Sequence, residues 1–384
     1  VLNGELESIL ASPLPPPPDP LEAVRRILAR KQDFGITRLG SVTELDRVGI
    51  PVVQVVRPMS RSVTVNQGKG LTFPQAAISG LMESLEGWAS ERVPDERVEF
   101  AGFRSKNKEG YWSHLAADSE SNDTIAWIKG WDLFSSRQVD VPLALVDTAY
   151  TVPSPHPHWL PRNTTGLAAG TSLQQTIAHG CFEALERHAR CAAMRMPHFF
   201  DRFQLDSGSV RVGTAAEIVR RLFSVGFTVG IWSIPSEHNF PVYWCHVMES
   251  AQRPPLAPWP AEGFGCDWTH DRALTKALLE ACQSRLGVIS AAREDISGHL
   301  YGHQSAKEMA AWRRQLAIRG RPYPSADRSA WNTVSAQTPL DALRLAGAKA
   351  AVVVVLFSDE SIPLFVARIV TPPLETNPEL KGDR

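Results

Sequence analysis

HGCFEALERHARC, His179–Cys191, sets two glutamates three residues apart within an apolar-periodic run. At about 100° per residue it forms a two-faced helix. Gln175, His179, Glu183, Glu186 and Arg190 share one face with Arg187 at its edge, while Ile177, Cys181, Leu185 and Ala192 occupy the other, which should meet the core. His188 and Cys181 fall on the apolar side, so the His179/Cys181/His188/Cys191 cluster cannot converge on one zinc ion.

SGLMESLEGW, Ser79–Trp88, has the same design: Gln75, Ser79, Glu83, Glu86 and Ser90 face away from Ile78, Leu81, Leu85 and Trp88. No Lys or Arg interrupts that polar face, although paired carboxylates at this spacing repel by a few tenths of a kcal/mol. ALLEACQSR, Ala277–Arg285, echoes the pattern with Glu280 and Gln283. Two explanations compete: a solvated acidic stripe, or carboxylates on facing helices gathered around hard cations. Mg²⁺ suits the second, because it takes oxygen ligands and leaves room for phosphate. A di-iron bundle wants Glu-x-x-His pairs, which these helices lack.

Around these helices the chain alternates in texture. GIPVVQVVRP, SRSVTV, DTIAWIKGWDLF, DVPLALVDTAY, FTVGIWSI, PVYWCHVMES, AKAAVVVVLFSD and IPLFVARIV read as strands, and TVPSPHPHWLPRNTTGLAAG as a Pro/His-rich loop. Long helices are expected over 73–93, around Glu183 and over 272–292. The pattern predicts an α+β catalytic domain over residues 50–372 and a tail over 373–384. Before them lies an N-terminal extension over 1–49, with a short helix, a polyproline spacer at Ser12–Pro20 and a helix capped by Asp19. In VNQGKGLT, Lys69 lies between two glycines at an expected turn where an ammonium and backbone N–H groups meet phosphate; it is not a Walker A loop.

Composition narrows the function. A net charge of −1 argues against a nucleic-acid partner. No apolar run is long enough for a membrane span, and the first residues do not read as a secretory signal. Five scattered cysteines without C-x-x-C are expected to be buried thiols in a reducing cytoplasm.

Taken in order, QGKGLT…AAISGLMESLE, TTGLAAGTSLQQTIAHGCFEALERHA and GFGCDWTHDRALTKALLEACQSRLGVISAAREDI resemble the signature blocks of the YcaO family. GFGC, EACQSR, AREDI and the VARIVTPPLE ending resemble most its TfuA-associated branch. The resemblance implies a YcaO-type fold, mixed sheets packed with long helices that carry the carboxylate pairs. It also implies an enzyme of ribosomal-peptide biosynthesis that phosphorylates a backbone amide oxygen with ATP. A Cys, Ser or Thr side chain then attacks to give an azoline, or a sulfide source to give a thioamide. By the resemblance, Glu83, Glu86, Glu183 and Glu186 hold Mg²⁺ against the triphosphate, and Ser79, which opens the first motif, and Gln175 are among the cofactor-binding residues. Lys69, Arg187 and Arg285 neutralise the transferred phosphoryl, and Gln283 and His179 orient nucleotide or substrate. Glu280 is either a further ligand or the buried partner of Arg285. Three departures stand out: Gly87 where an Arg often follows, Ala168 and Gln175 (with His179) in the second block, and no Pro-x-Pro-x-Pro tail. The missing tail favours thioamidation with a TfuA-like partner over an azoline-forming cyclodehydratase. The other departures leave open a non-catalytic nucleotide- or peptide-binding scaffold. Further expected partners are a precursor peptide, a separate leader-binding protein and a second copy in a homodimer.

Overall fold

Three strands each run into a capped helix, and these three units carry the acidic residues. The computed structural model describes residues 18–116, 123–250, 256–257, 259–296, 298–302, 305–324, 336–359, 361–362 and 364–375. Within them β3 (Val65–Lys69) leads into α2 (Phe73–Ser90), β7 (Leu167–Gly170) into α3 (Leu173–Arg195), and β11 (Ala261–Cys266) into α4 (His270–Ser290). Thr72, Ser172 and Thr269 begin the helices, each side chain accepting from the backbone N–H three residues on. All three long helices lie where the periodicity predicts them.

The first sheet has the order β1 (Arg38–Ser41), β2 (Val52–Val56), β3, all antiparallel. The second has the order β4 (Val98–Gly102), β5 (Thr124–Asp132), β13 (Val352–Asp359), β14 (Leu364–Val370), β7, with β6 (Arg137–Pro142) also paired to β5. The third runs β11, β10 (Val242–Glu249), β9 (Phe227–Ile234), β8 (Gln204–Asp206), β12 (Arg321–Pro322). Helix α3 is wedged between the second and third sheets, touching β7 and β14 on one side and β9 and β11 on the other. That is why Cys181, Ala184 and Leu185 are wholly buried. Helix α2 lies on β2, β3 and β7, and α4 on β10, β11 and β3, so the three helices converge.

Their approach depends on missing side chains. A Cβ on Gly68 of β3 would lie 2.1 Å from the Ala76 carbonyl oxygen and from the Gly80 nitrogen of α2. On Gly263 of β11 it would lie 2.2 Å from the Ala277 carbonyl oxygen of α4. Strand and helix backbones therefore touch directly.

Several strand boundaries differ from expectation. SRSVTV is strand only from Val65, and the strand continues to Lys69; Ser60–Arg61 turns instead, held by Glu91, which accepts from the Arg61 N–H at 2.8 Å. DVPLALVDTAY leaves the sheet after Pro142 in a single 3-10 turn, Leu143–Leu145. The end of the Pro/His-rich loop is strand β7. Helix α1 (Pro20–Ala29) starts at its expected Asp19 cap. The earlier helix and most of the polyproline tract lie outside the described residues. Within the stretch read as an extension, β1 pairs with β2 from Arg38↔Val56 to Ser41↔Val53. All five cysteines are buried free thiols. No described helix is long and apolar enough to cross a membrane.

Candidate active site

The convergence leaves a cleft of about 1460 Å³, and every sequence-predicted site residue borders it. Glu83 and Glu86 come from α2, Gln175, His179, Glu183, Glu186 and Arg187 from α3, and Glu280, Gln283 and Arg285 from α4. Lys69 ends β3, with Ser79 beside it: the Ser79 hydroxyl accepts from the Lys69 backbone N–H at 3.4 Å. Lys69 is a strand residue rather than a turn residue, because it pairs with Val52 of β2 at the end of the ladder.

Backbone N–H groups of β7, of the turn before it and of β11 hold the carboxylates. The Ala169 N–H donates to Glu86 at 2.8 Å, Gly166 N–H to Glu183 at 3.1 Å, Cys266 N–H to Glu186 at 3.1 Å and Phe264 N–H to Glu280 at 3.4 Å. Lys69 reaches Glu280 at 3.0 Å, Arg187 lies 3.6 Å from Glu183, and Arg293 lies 3.4 Å from Glu83. Among the described residues the second oxygens of Glu86 and Glu186 have no protein donor.

These carboxylates are short of positive charge. Burial, then the neighbouring Glu183 and Glu83, raises Glu86 well above the usual carboxylate range. Burial, then Glu280, raises Glu186 to about 7. Burial also raises Glu183, against the pull of Arg187 and Arg368. Glu280 goes the other way: burial is outweighed by Lys69 and Arg187, and it is lowered. Burial opposes the charge on Lys69 and Arg187, yet both are held above their ordinary values, chiefly by Glu280 and Glu83 for Lys69 and by Glu186 and Glu183 for Arg187. His179 is open to solvent in the cleft, but the surrounding protein and then Lys276 and Lys69 lower its imidazole to about 4, so it is neutral at pH 7.

This donor set fits divalent cations that arrive with phosphate. Among the described residues no three His, Cys, Asp or Glu side chains close a metal site by themselves. Hard oxygen donors with unfilled positions are nonetheless what Mg²⁺ uses when phosphate and water complete its shell.

Arg285 departs from its expected role. Its side chain is 1% exposed, its Nε 2.6 Å from Asp46 and its Nη2 3.0 Å from Glu249. That guanidinium is hydrogen-bonded to Asp46 and charge-paired with Glu249, while Nη1 and Nη2 have no hydrogen-bond partner among the described residues. Glu280 is therefore the partner of Lys69, not of Arg285. Gln283 donates to the Gln67 carbonyl at 3.3 Å and leaves its own Oε1 without a partner among the described residues. The departures in the blocks also have a physical setting. Ala169 rather than Ala168 lines the cleft, and a Cβ on Gly87 would lie 3.0 Å from Arg57 Nη2, so an arginine occupies that neighbourhood from another strand end. Arg368 of β14 escaped the sequence reading. It is buried, donates to Asn163 at 2.8 Å, and burial lowers it to about 10 against the pull of Glu183. A lone arginine in the apolar run LFVARIV was the available signal.

The family model described as YcaO cyclodehydratase, ATP-ad Mg2+-binding, matches residues 67–375. The chain belongs to the YcaO family. ATP and Mg²⁺ are accordingly its cofactors. An uncharacterized protein of Mycobacterium tuberculosis strain H37Rv is 28% identical over 365 residues, 88% of this chain and 78% of the relative. An uncharacterized protein in the tfuA 3′ region of Rhizobium leguminosarum bv. trifolii is 27% identical over 374 residues, 93% and 88% of the two chains. In fold the YcaO chain is similar to YcaO from Methanopyrus kandleri bound with AMPPCP and Mg²⁺, with TM-score 0.68, 22% identity and coverage of 93% and 92%. It is also similar to the E. coli microcin synthetase McbBCD complex with pro-MccB17 bound, with TM-score 0.63, 16% identity and coverage of 87% of each chain.

Proposed function

We propose that this YcaO protein activates a backbone amide of a ribosomally made precursor peptide and converts it to a thioamide, with a TfuA-like partner. The observation that carries the reading is the meeting of Glu83 and Glu86 with Glu183 and Glu186, from two facing helices, beside Lys69 and Arg187. ATP with Mg²⁺ supplies the phosphoryl that makes the amide oxygen a leaving group, and a sulfide source then replaces that oxygen. Glu83, Glu86, Glu183 and Glu186 hold the cations. Lys69 and Arg187 stabilise charge that grows on the phosphoryl oxygens, where fixed cations act most strongly. Ser79, Gln175, His179 and Gln283 orient nucleotide or substrate, and neutral His179 does so without adding charge. Glu280 keeps Lys69 in place.

The tfuA neighbourhood of the Rhizobium relative supports the thioamide branch. The family description as cyclodehydratase favours the second reading, azoline formation on Cys, Ser or Thr. The mass of a treated precursor separates the two: exchange of oxygen for sulfur marks a thioamide, loss of water an azoline. A homodimer acting in the cytoplasm completes the proposal, and sedimentation tests the oligomer.

Calorimetric titration of ATP, with and without Mg²⁺, tests the site itself. Binding should require Mg²⁺ and weaken about tenfold or more in Glu83→Gln, the worth of a lost charge-assisted contact. Binding indifferent to both would reduce the acidic faces to solvated helix surfaces and leave a scaffold.

A further inference from the structure

Beyond Arg187 the cleft changes character. Phe200, Trp244, His246, Phe264 and Trp312 pack together along its wall, and Trp259 lines the same cleft. Trp244 lies 5.0 Å from Phe200 and 4.8 Å from Phe264 between ring centroids, and His246 lies 5.4 Å from Trp312. His246 is 5% exposed, and neither ring nitrogen has a hydrogen-bond partner among the described residues. Its nearest carboxylate, Glu262, is 3.8 Å away, and the Trp259 indole N–H is equally unpartnered. Two ring nitrogens left unmet inside a box of aromatic rings, and an indole N–H left unmet on the same cleft, are costly unless a ligand meets them.

The box adjoins the carboxylates. Phe264 and Cys266 lie two residues apart on one face of β11, about 7 Å along the strand, and the Cys266 N–H holds Glu186. On α3, Arg190 comes one turn after Glu186; it lies 3.4 Å from Glu262 and its guanidinium packs 4.5 Å over the Phe264 ring. The Arg190–Glu262 pair cancels charge at the rim, so the box favours neither a cation nor an anion. At about 1460 Å³ the cleft also exceeds the roughly 300–1,000 Å³ that a single small ligand occupies, leaving room for a second one beside a nucleotide.

We propose that this aromatic end seats an aromatic or large aliphatic side chain of the peptide substrate, next to the amide that reacts, with His246 and the Trp259 indole N–H bonding the peptide group. The proposal rests on the amide-activating function above and adds the side-chain class that the site selects. Neutral imidazole offers one donor and one acceptor, a match for the N–H and C=O of a peptide.

The test labels the eleven tryptophans of the full chain with 5-fluorotryptophan and follows them by fluorine NMR. N-acetyl-phenylalaninamide and N-acetyl-glycinamide are the probes, with and without AMPPCP and Mg²⁺. The resonances of Trp259 and Trp312, assigned through Trp→Phe variants, should move with the phenylalanine amide and hardly at all with the glycine amide. Trp312→Ala should weaken the phenylalanine amide about tenfold while changing AMPPCP affinity less than about twofold. His246→Leu, which keeps the box apolar, should weaken the amide about fivefold. Immobile Trp259 and Trp312 resonances up to the solubility limit of the amide would overturn the proposal. So would AMPPCP with Mg²⁺ moving the same resonances and displacing the amide, which would make the box a seat for the base. If the parent fails to bind AMPPCP but still binds the amide in the box, the ATP-dependent function falls and the side-chain seat stands.

Discussion

Arg187 and Arg285 have the same charge and similar positions on acid-bearing helices, yet their surroundings give them opposite work. Arg187 is 28% exposed and 3.6 Å from Glu183, so its charge faces the cleft. Arg285 is 1% exposed and divided between Asp46 and Glu249. Removing one partner from a buried ion pair strands the other charges in low dielectric and costs about 3–5 kcal/mol. Arg285→Leu should therefore lower the unfolding free energy in urea by that amount. Arg187→Leu should change stability by about 1 kcal/mol or less, as for partly exposed pairs, while lowering ATP turnover about a hundredfold. Urea titration beside a turnover assay checks both. A stable Arg285→Leu protein with crippled turnover would return that residue to the phosphate.

At the scale of elements, Gly68 decides where Lys69 and Ser79 meet. A Cβ there would overlap the α2 backbone at Ala76 and Gly80, and backbone cannot step aside as a flexible side chain does. Gly68→Ala should cost about 1–3 kcal/mol through overpacking and should also weaken Mg²⁺-dependent ATP binding, because β3 and α2 are pushed apart. Gly298→Ala, with nothing within 4 Å of its would-be Cβ, is the control for both readouts. The same scale shows what a reader of sequence can and cannot recover. The acid faces of α2 and α3 were legible because helical period separates Glu83 and Glu86 from Leu81 and Leu85 without ambiguity. Strand β7 was not: four residues, LAAG, at the end of a proline-rich loop carry too little alternation, and only pairing with β14 makes them a strand. The boundary of SRSVTV was lost because a turn there depends on Glu91, thirty residues later. The partners of Arg285 were hidden likewise, since Asp46 and Glu249 lie far from it in the chain and neither shares its helix.

For the molecule as a whole, the two most deeply buried of the lowered imidazoles contribute to how stability responds to acid. Burial lowers His238 to about 4 and His246 to about 3, and both are nearly inaccessible. In the unfolded chain each titrates near 6.5. Below that value the unfolded state binds protons that the folded state refuses, so stability must fall as pH falls from 6.5 toward 4. Between pH 7.5 and pH 5 each imidazole should remove on the order of 2 kcal/mol. The raised carboxylates Glu86, Glu183 and Glu186 act in the opposite sense, since the folded state holds their protons more tightly and their contribution declines as pH rises. The slope of the parent alone therefore mixes both signs, and a difference isolates the imidazoles. Urea unfolding at pH 7.5, 6 and 5 should show a smaller acid loss in His238→Gln and in His246→Phe than in the parent, by about 2 kcal/mol each at pH 5. Parallel curves for parent and variants would mean that the two rings take up protons in the folded protein as readily as in the unfolded chain, and the box around His246 would then be wetter than its aromatic walls imply.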